Sequence, residues 1–189
     1  ELNLDMCPPS TVSGIYAAHA KLRILSIKNS GITSLAAVLV PVGRKVLRKL
    51  APMIFNDEPA KGLNPEHVWS SLVVLKLSNC GIVQIDQSLH FFPAVQLLDL
   101  SRNSIAHIVH LQDCISLKYL DLSHNRIRAL SNLERVIGSV VRLDVSHNEI
   151  ESLDGIGKIY SMEKLAVGNN KICDFEEVVN ISKLPNLEA

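Results

Sequence analysis

Aromatic residues are scarce in this chain, 4% of 189 positions, and there is one tryptophan, Trp69. With 47% of residues hydrophobic, the core has to be filled by Leu, Ile and Val. That favours regular stacking of similar units over an irregular globule. Net charge is also lacking, with 19 Lys and Arg against 19 Asp and Glu. Nucleic acid as the main partner needs a surplus of cations to neutralise phosphate, so this balance argues against it. No apolar run is long enough to span a bilayer, and no secretory leader stands at Glu1. The four cysteines, Cys7, Cys80, Cys114 and Cys173, form no C-x-x-C pair and no metal-ligand spacing. Scattered singly, they read as small buried hydrophobes in a reducing compartment, and a cytoplasmic location is expected. No nucleophile with an adjacent base and no phosphate-cradling glycine loop is present. Catalysis, a cofactor and a bound metal are therefore not expected.

What the chain does have is a repeat. Its grammar is apolar, two variable, apolar, one variable, apolar, two variable, Asn, one variable, apolar. It reads Val95, Leu98, Leu100, Asn103, Ile105, and again Leu117, Leu120, Leu122, Asn125, Ile127. Val140, Leu143, Val145, Asn148, Ile150 and Met162, Leu165, Val167, Asn170, Ile172 continue it. Upstream, Leu72, Leu75, Leu77, Cys80, Ile82 and Leu22, Leu25, Ile27, Ser30, Ile32 obey it with the Asn replaced. First positions at 72, 95, 117, 140 and 162 are 23, 22, 23 and 22 residues apart. This period and wording resemble leucine-rich repeats.

The spacing implies an α/β solenoid. Each apolar-x-apolar step is a short strand with both apolar side chains inward, and one repeat cannot bury that face alone. Neighbouring strands then stack in parallel, about 4.8 Å apart, along one concave face. Asn103, Asn125, Asn148 and Asn170 are expected to form a buried ladder pairing backbone groups left open by each turn. On the convex side Ile108, Leu111, Cys114, then Leu130, Leu133, Val136, then Leu153, Ile156, Ile159 recur every three residues. That suits short helical or 3₁₀ segments.

Residues 1–189 read as one such domain. Leu2, Leu4 and Cys7 fit the fourth, sixth and ninth positions of a repeat begun earlier, and Leu187 fits a first position. Neither end shows a polar cap, so the natural protein is expected to continue both ways. The 50-residue step from Leu22 to Leu72 breaks the period. Counting back 22 from Leu72 gives Leu50, with Met53 and Phe55 at strand positions of a degenerate repeat. An irregular insertion is expected at about 36–65. Its basic patch, Arg44, Lys45, Arg48 and Lys49, suits an acidic partner or anionic lipid, or is a solvated loop.

Binding on a solenoid usually uses the concave face. There, between the second and third apolar positions, stand Ser26, Lys76, Asp99, Asp121, Asp144 and Ala166. Carboxylates roughly 5 Å apart repel by about 1 kcal/mol even in water, so this acidic ladder either has basic neighbours or awaits a basic partner. Lys118, Arg142 and Lys164 are candidates to relieve it. Lys76, Asp99, Tyr119, Asp121, Arg142, Asp144 and Lys164 together form the expected partner-binding surface. His124 and His147 should stack one repeat apart, too few for a zinc site but able to titrate near neutrality. Ser78, Ser101, Ser123 and Ser146 follow the period and belong to the repeat. Trp69 is expected to pack on the convex side.

The 22-residue spacing resembles the intracellular class typified by the regulatory subunit of protein phosphatase 1. From Val68 to Glu188 the chain is similar to the nischarin family of imidazoline-receptor candidates. Gln84 to Leu89, Gly155 to Met162, Glu176 to Val178 and Leu184 to Glu188 carry that likeness. The kinase-11-interacting protein family has a similar layout, including a tryptophan before the matching repeat. These resemblances imply a cytoplasmic or endosomal scaffold that binds Rac- or Rab-type small GTPases and protein kinases. The alternative they imply is a regulatory subunit of a phosphatase or kinase. Membrane association would be peripheral or supplied by domains outside this sequence. Cys80 in the Asn slot and the basic insertion depart from the pattern.

Overall fold

The structure, a computed structural model, describes residues 1–7, 21–35, 68–131 and 133–188. Among the described residues, seven short strands make one parallel sheet in chain order. They are β1 (Leu2–Asn3), β2 (Ile24–Ser26), β3 (Val74–Lys76), β4 (Leu97–Asp99), β5 (Tyr119–Asp121), β6 (Arg142–Asp144) and β7 (Lys164–Ala166). The central leucines stack in register: Leu2 on Leu25, then Leu75, Leu98, Leu120, Leu143 and Leu165. Leu25, Leu75, Leu98, Leu120 and Leu143 are buried, and their flanking strand residues face the concave side. A fully buried Leu is stabilised by roughly 1.5–3 kcal/mol relative to exposure, so this row holds the solenoid together.

The asparagine ladder sews repeat to repeat. Asn125 Nδ2 donates to Leu122 O in its own repeat (2.9 Å) and to Leu100 O in the preceding one (3.0 Å). Its Oδ1 accepts from Ile105 N at 2.9 Å. Asn103, Asn148 and Asn170 repeat this arrangement. Cys80 keeps the cross-repeat half of it, with its thiol donating to Ile27 O at 2.8 Å. Ser30, lacking the reach, donates within its own turn to Ile27 O at 3.0 Å.

The convex side explains the alternating period. In the 22-residue units the chain hops in threes, Leu111–Cys114–Leu117 and Leu153–Ile156–Ile159–Met162, each hop closed by a three-residue backbone hydrogen bond. The 23-residue units insert one residue: Ile85 is followed by Leu89 across a 3₁₀ helix (Gln87–Phe91), and Leu133 by Ile137 across α1 (Leu133–Val136). Ile137 N donates to Leu133 O, a four-residue turn. Ile137, not the expected Val136, is therefore the buried member, because the α turn rotates the inward position on by one. The final unit carries the longer α2 (Phe175–Ile181), with Ile181 and Leu184 buried.

The sheet is continuous across the long gap. β2 pairs directly with β3, Ile24 on Val74 and Ser26 on Lys76. A strand has two edges, and β2 spends them on β1 and β3. Met53 and Phe55, expected in a degenerate repeat, lie outside the described residues. Residues 36–67, with the basic patch at Arg44, Lys45, Arg48 and Lys49, lie outside the described residues. The two flanks of the gap are joined by Asp86, which caps the 3₁₀ helix through Ser88 N (2.9 Å) and accepts from Ser34 Oγ (2.9 Å). Trp69 is fully buried against Phe92, ring centroids 5.6 Å apart.

Both ends follow the register. Leu4 N donates to Ser26 O at 2.8 Å. At the other end Glu188 N reaches Glu163 O at 2.8 Å, as Glu163 N reaches Val141 O. No helix among the described residues is long and apolar enough to cross a membrane.

Candidate partner-binding face

The outward residues of β3 to β7 line a hollow of about 460 Å³ on the concave face. Lys76, Asp99, Tyr119, Asp121, Arg142, Asp144 and Lys164 all border it, with Leu97 and Lys28. Parallel pairing in register brings them together: Tyr119 lies opposite Arg142 and Arg142 opposite Lys164. In the neighbouring row Asp99 lies opposite Asp121 and Asp121 opposite Asp144.

Each aspartate is fixed by the serine two residues on. Asp121 Oδ1 accepts from Ser123 N (2.9 Å) and Ser123 Oγ (2.7 Å). Asp99 with Ser101 and Asp144 with Ser146 are bound the same way. The recurring Asp-x-Ser wording is thus a local turn lock that uses one carboxylate oxygen.

The cations do not distribute as expected. Arg142 lies over the Tyr119 ring, 5.4 Å from its centroid. Lys164 pairs with Glu188 at 2.9 Å. The side chain that reaches the ladder is Lys28, whose Nζ stands 3.7 Å from Asp99 Oδ2. Sequence reasoning missed it, although a signal was there. Lys28 occupies the slot that Ser78, Ser101, Ser123 and Ser146 hold in later repeats.

Along the rim beyond the strands, Asn29, Asn79, Arg102, His124, His147 and Asn169 share a left-handed backbone, φ between 54° and 57°. Asn and His are enriched in this conformation; Arg adopts it against steric cost. His124 and His147 stack at 4.0 Å between centroids. Asn169 Nδ2 lies 3.1 Å from His147 Nε2. On the convex side a smaller hollow of about 390 Å³ lies between Glu134, Asp154, Lys158 and Glu177. Glu177 accepts a short hydrogen bond from Leu153 N. No group of three or more His, Cys, Asp or Glu side chains is placed to hold a metal ion among the described residues.

Residues 70–127 match the family model described as leucine rich repeat. The fold agrees with solved structures of the same architecture. Internalin C2 of Listeria monocytogenes superposes with a TM-score of 0.61 at 17% identity, covering 89% of this chain and 60% of that one. Internalin F of the same bacterium gives 0.62 at 18% identity, over 94% of this chain and 50% of that one. The fold is that of a leucine-rich repeat solenoid. The leucine-rich repeat domain of APL1B superposes likewise, with a TM-score of 0.57 at 17% identity over 93% of this chain and 50% of that domain's chain. In sequence, 93 residues of the repeat chain are 29% identical to the mouse (Mus musculus) geranylgeranyl transferase type-2 subunit alpha. That stretch is 49% of this chain and 16% of the mouse subunit, so the chain spans a small part of that relative. Leucine-rich repeats of this architecture are protein-interaction folds, and a protein partner is the coarse expectation for this one.

Proposed function

We propose that this leucine-rich repeat chain is a non-catalytic interaction scaffold whose concave face binds a folded protein. The observation that carries the reading is the gathering of seven outward side chains, Lys76 to Lys164, around one hollow. They are charged or aromatic where the convex side is built from packed Ile and Leu. Aromatic and arginine side chains are the commonest anchors of protein interfaces, and Tyr119 with Arg142 supplies such a pair. The nischarin-like wording of the repeats supports small GTPases of the Rac or Rab type and protein kinases as the partner class. It also supports cytoplasmic or endosomal signalling as the setting. Four unpaired cysteines agree with a reducing compartment.

Affinity capture from cytosol with the wild-type chain, alongside a charge-reversed Asp99/Asp121/Asp144 variant, tests this. A GTPase or kinase held by the first and lost by the second supports the concave scaffold. Equal capture by both moves binding elsewhere. A second reading, a regulatory subunit of a phosphatase or kinase, draws support from the likeness to a protein named as an enzyme subunit. It requires a stable stoichiometric complex with a catalytic subunit. Recovery of GTPases alone counts against it.

A further inference from the structure

We infer that the slot between Asp121 and Asp144 receives an arginine side chain from the partner protein. The inference rests on the concave-face reading and adds the chemistry of the contact. Asp121 and Asp144 are Cα partners on adjacent parallel strands and project from the same face. Their carboxylates are therefore about one strand spacing, ~4.8 Å, apart. In each, Oδ1 is held by the serine two residues on. Neither Oδ2 has a hydrogen bond or ion pair among the described residues. The slot is thus a fixed pair of like charges, each with one oxygen free.

The molecule itself shows the occupied form of this unit. One strand away, Asp99 has the same serine lock, and its Oδ2 holds the Lys28 ammonium. Lys28 approaches from the end of β2, two strands distant, as a partner side chain would. Beside Asp121 and Asp144 the chain's own cations are engaged elsewhere, Arg142 on the Tyr119 ring and Lys164 on Glu188. Among the described residues Asp121 and Asp144 therefore have no ion-pair partner where the hollow is open.

Shape selects the kind of cation. Leu97 and the 40%-exposed Tyr119 border the same hollow and present apolar surface next to the carboxylates. A side chain with an aliphatic stem and a charged head matches both. A planar guanidinium can donate to two carboxylates at once, which a compact ammonium does less well. Arginine fits this slot better than lysine or a small metal cation.

A random dodecamer peptide library displayed against the 189-residue chain tests the assignment. Selected sequences are expected to share an arginine, and their affinity for an Asp121→Asn/Asp144→Asn variant is expected to fall about 10-fold or more. Asn keeps the oxygen that accepts from serine, and an unchanged melting temperature confirms that the variant is folded. Replacing the shared arginine by citrulline, a neutral isostere, should cause the same loss. A consensus without a basic residue that is nevertheless lost in Tyr119→Ala keeps the concave face and overturns the arginine. Peptides indifferent to every concave substitution, or no enrichment at all, overturn both. Displacement by calcium chloride, but not by sodium chloride at equal ionic strength, assigns the slot to a divalent cation and overturns it as well.

Discussion

His124 and His147 lie face to face, their planes inclined by 8° and their centroids 4.0 Å apart. Two imidazoles so placed cannot both become charged without repulsion. His124 is held below the ordinary value of 6.5, first by its partial burial in the stack, then by His147 and Arg102. Asp121 and Asp144 pull in the opposite direction but do not prevail. The folded chain therefore binds fewer protons at this site than the unfolded chain. Its contribution to stability is complete above about pH 6.5 and is lost as pH falls through the folded value. An NMR titration of His124 should show its midpoint moving up in a His147→Asn variant, which removes one of the causes that hold it down. If its titration is the same in the variant, the stack does not set it.

The serine locks predict different outcomes for two substitutions at one position. Asp144→Asn retains an oxygen for Ser146 N and Oγ, so the melting temperature should change little. Asp144→Ala leaves the Ser146 amide, half-buried in the turn, without its 2.9 Å partner. A loss of about 1 kcal/mol is expected in urea unfolding. Equal losses for both variants would place the cause in charge and not in the turn.

Asn125 should be among the most sensitive positions in the solenoid. Asn125→Ala orphans Ile105 N and removes one of the two donors that Leu100 O and Leu122 O each receive, Asn103 and Asn148 supplying the other. The expected loss is about 2–4 kcal/mol by chemical unfolding, since a buried unpaired amide costs roughly 1–3 kcal/mol and each lost hydrogen bond about 0.5–1.5 kcal/mol. A loss no greater than that of an exposed-site control such as Arg126→Ala would contradict the ladder's structural role.

The cysteines should react unequally. Burial, and secondarily Asp113, pushes the Cys114 thiol up to about 12. Against the ordinary 9.0 that is roughly a thousandfold less thiolate at pH 8. Cys173 is exposed. Mass spectrometry after iodoacetamide treatment should find Cys173 modified in the native chain and Cys114 modified after denaturation. Early labelling of Cys114 would show that the convex side opens readily.

Much of this molecule can be read along the chain. Leu98, Leu120 and Leu143 announce the strands, Asn103, Asn125 and Asn148 the ladder, and the register of those strands places Asp99, Asp121 and Asp144 in one row. Backbone pairing in parallel register turns a linear period directly into a spatial stack, so positions equivalent in sequence become neighbours. The stacking of His124 on His147 follows from the same rule.

What lay between the regular units had to be decided in three dimensions. Counting by 22 does not reveal that β2 and β3 pair directly across the gap. Loop length carries a weak energetic signature, because closing a longer loop costs only slightly more. Ile137 replaced Val136 because one extra residue closed an α turn in place of a three-residue hop. The partner of each cation was beyond the period as well: Lys28 reached Asp99 while Arg142 turned to Tyr119. A long flexible side chain chooses among charges several ångströms apart in space, and distances across repeats, not positions along them, make that choice.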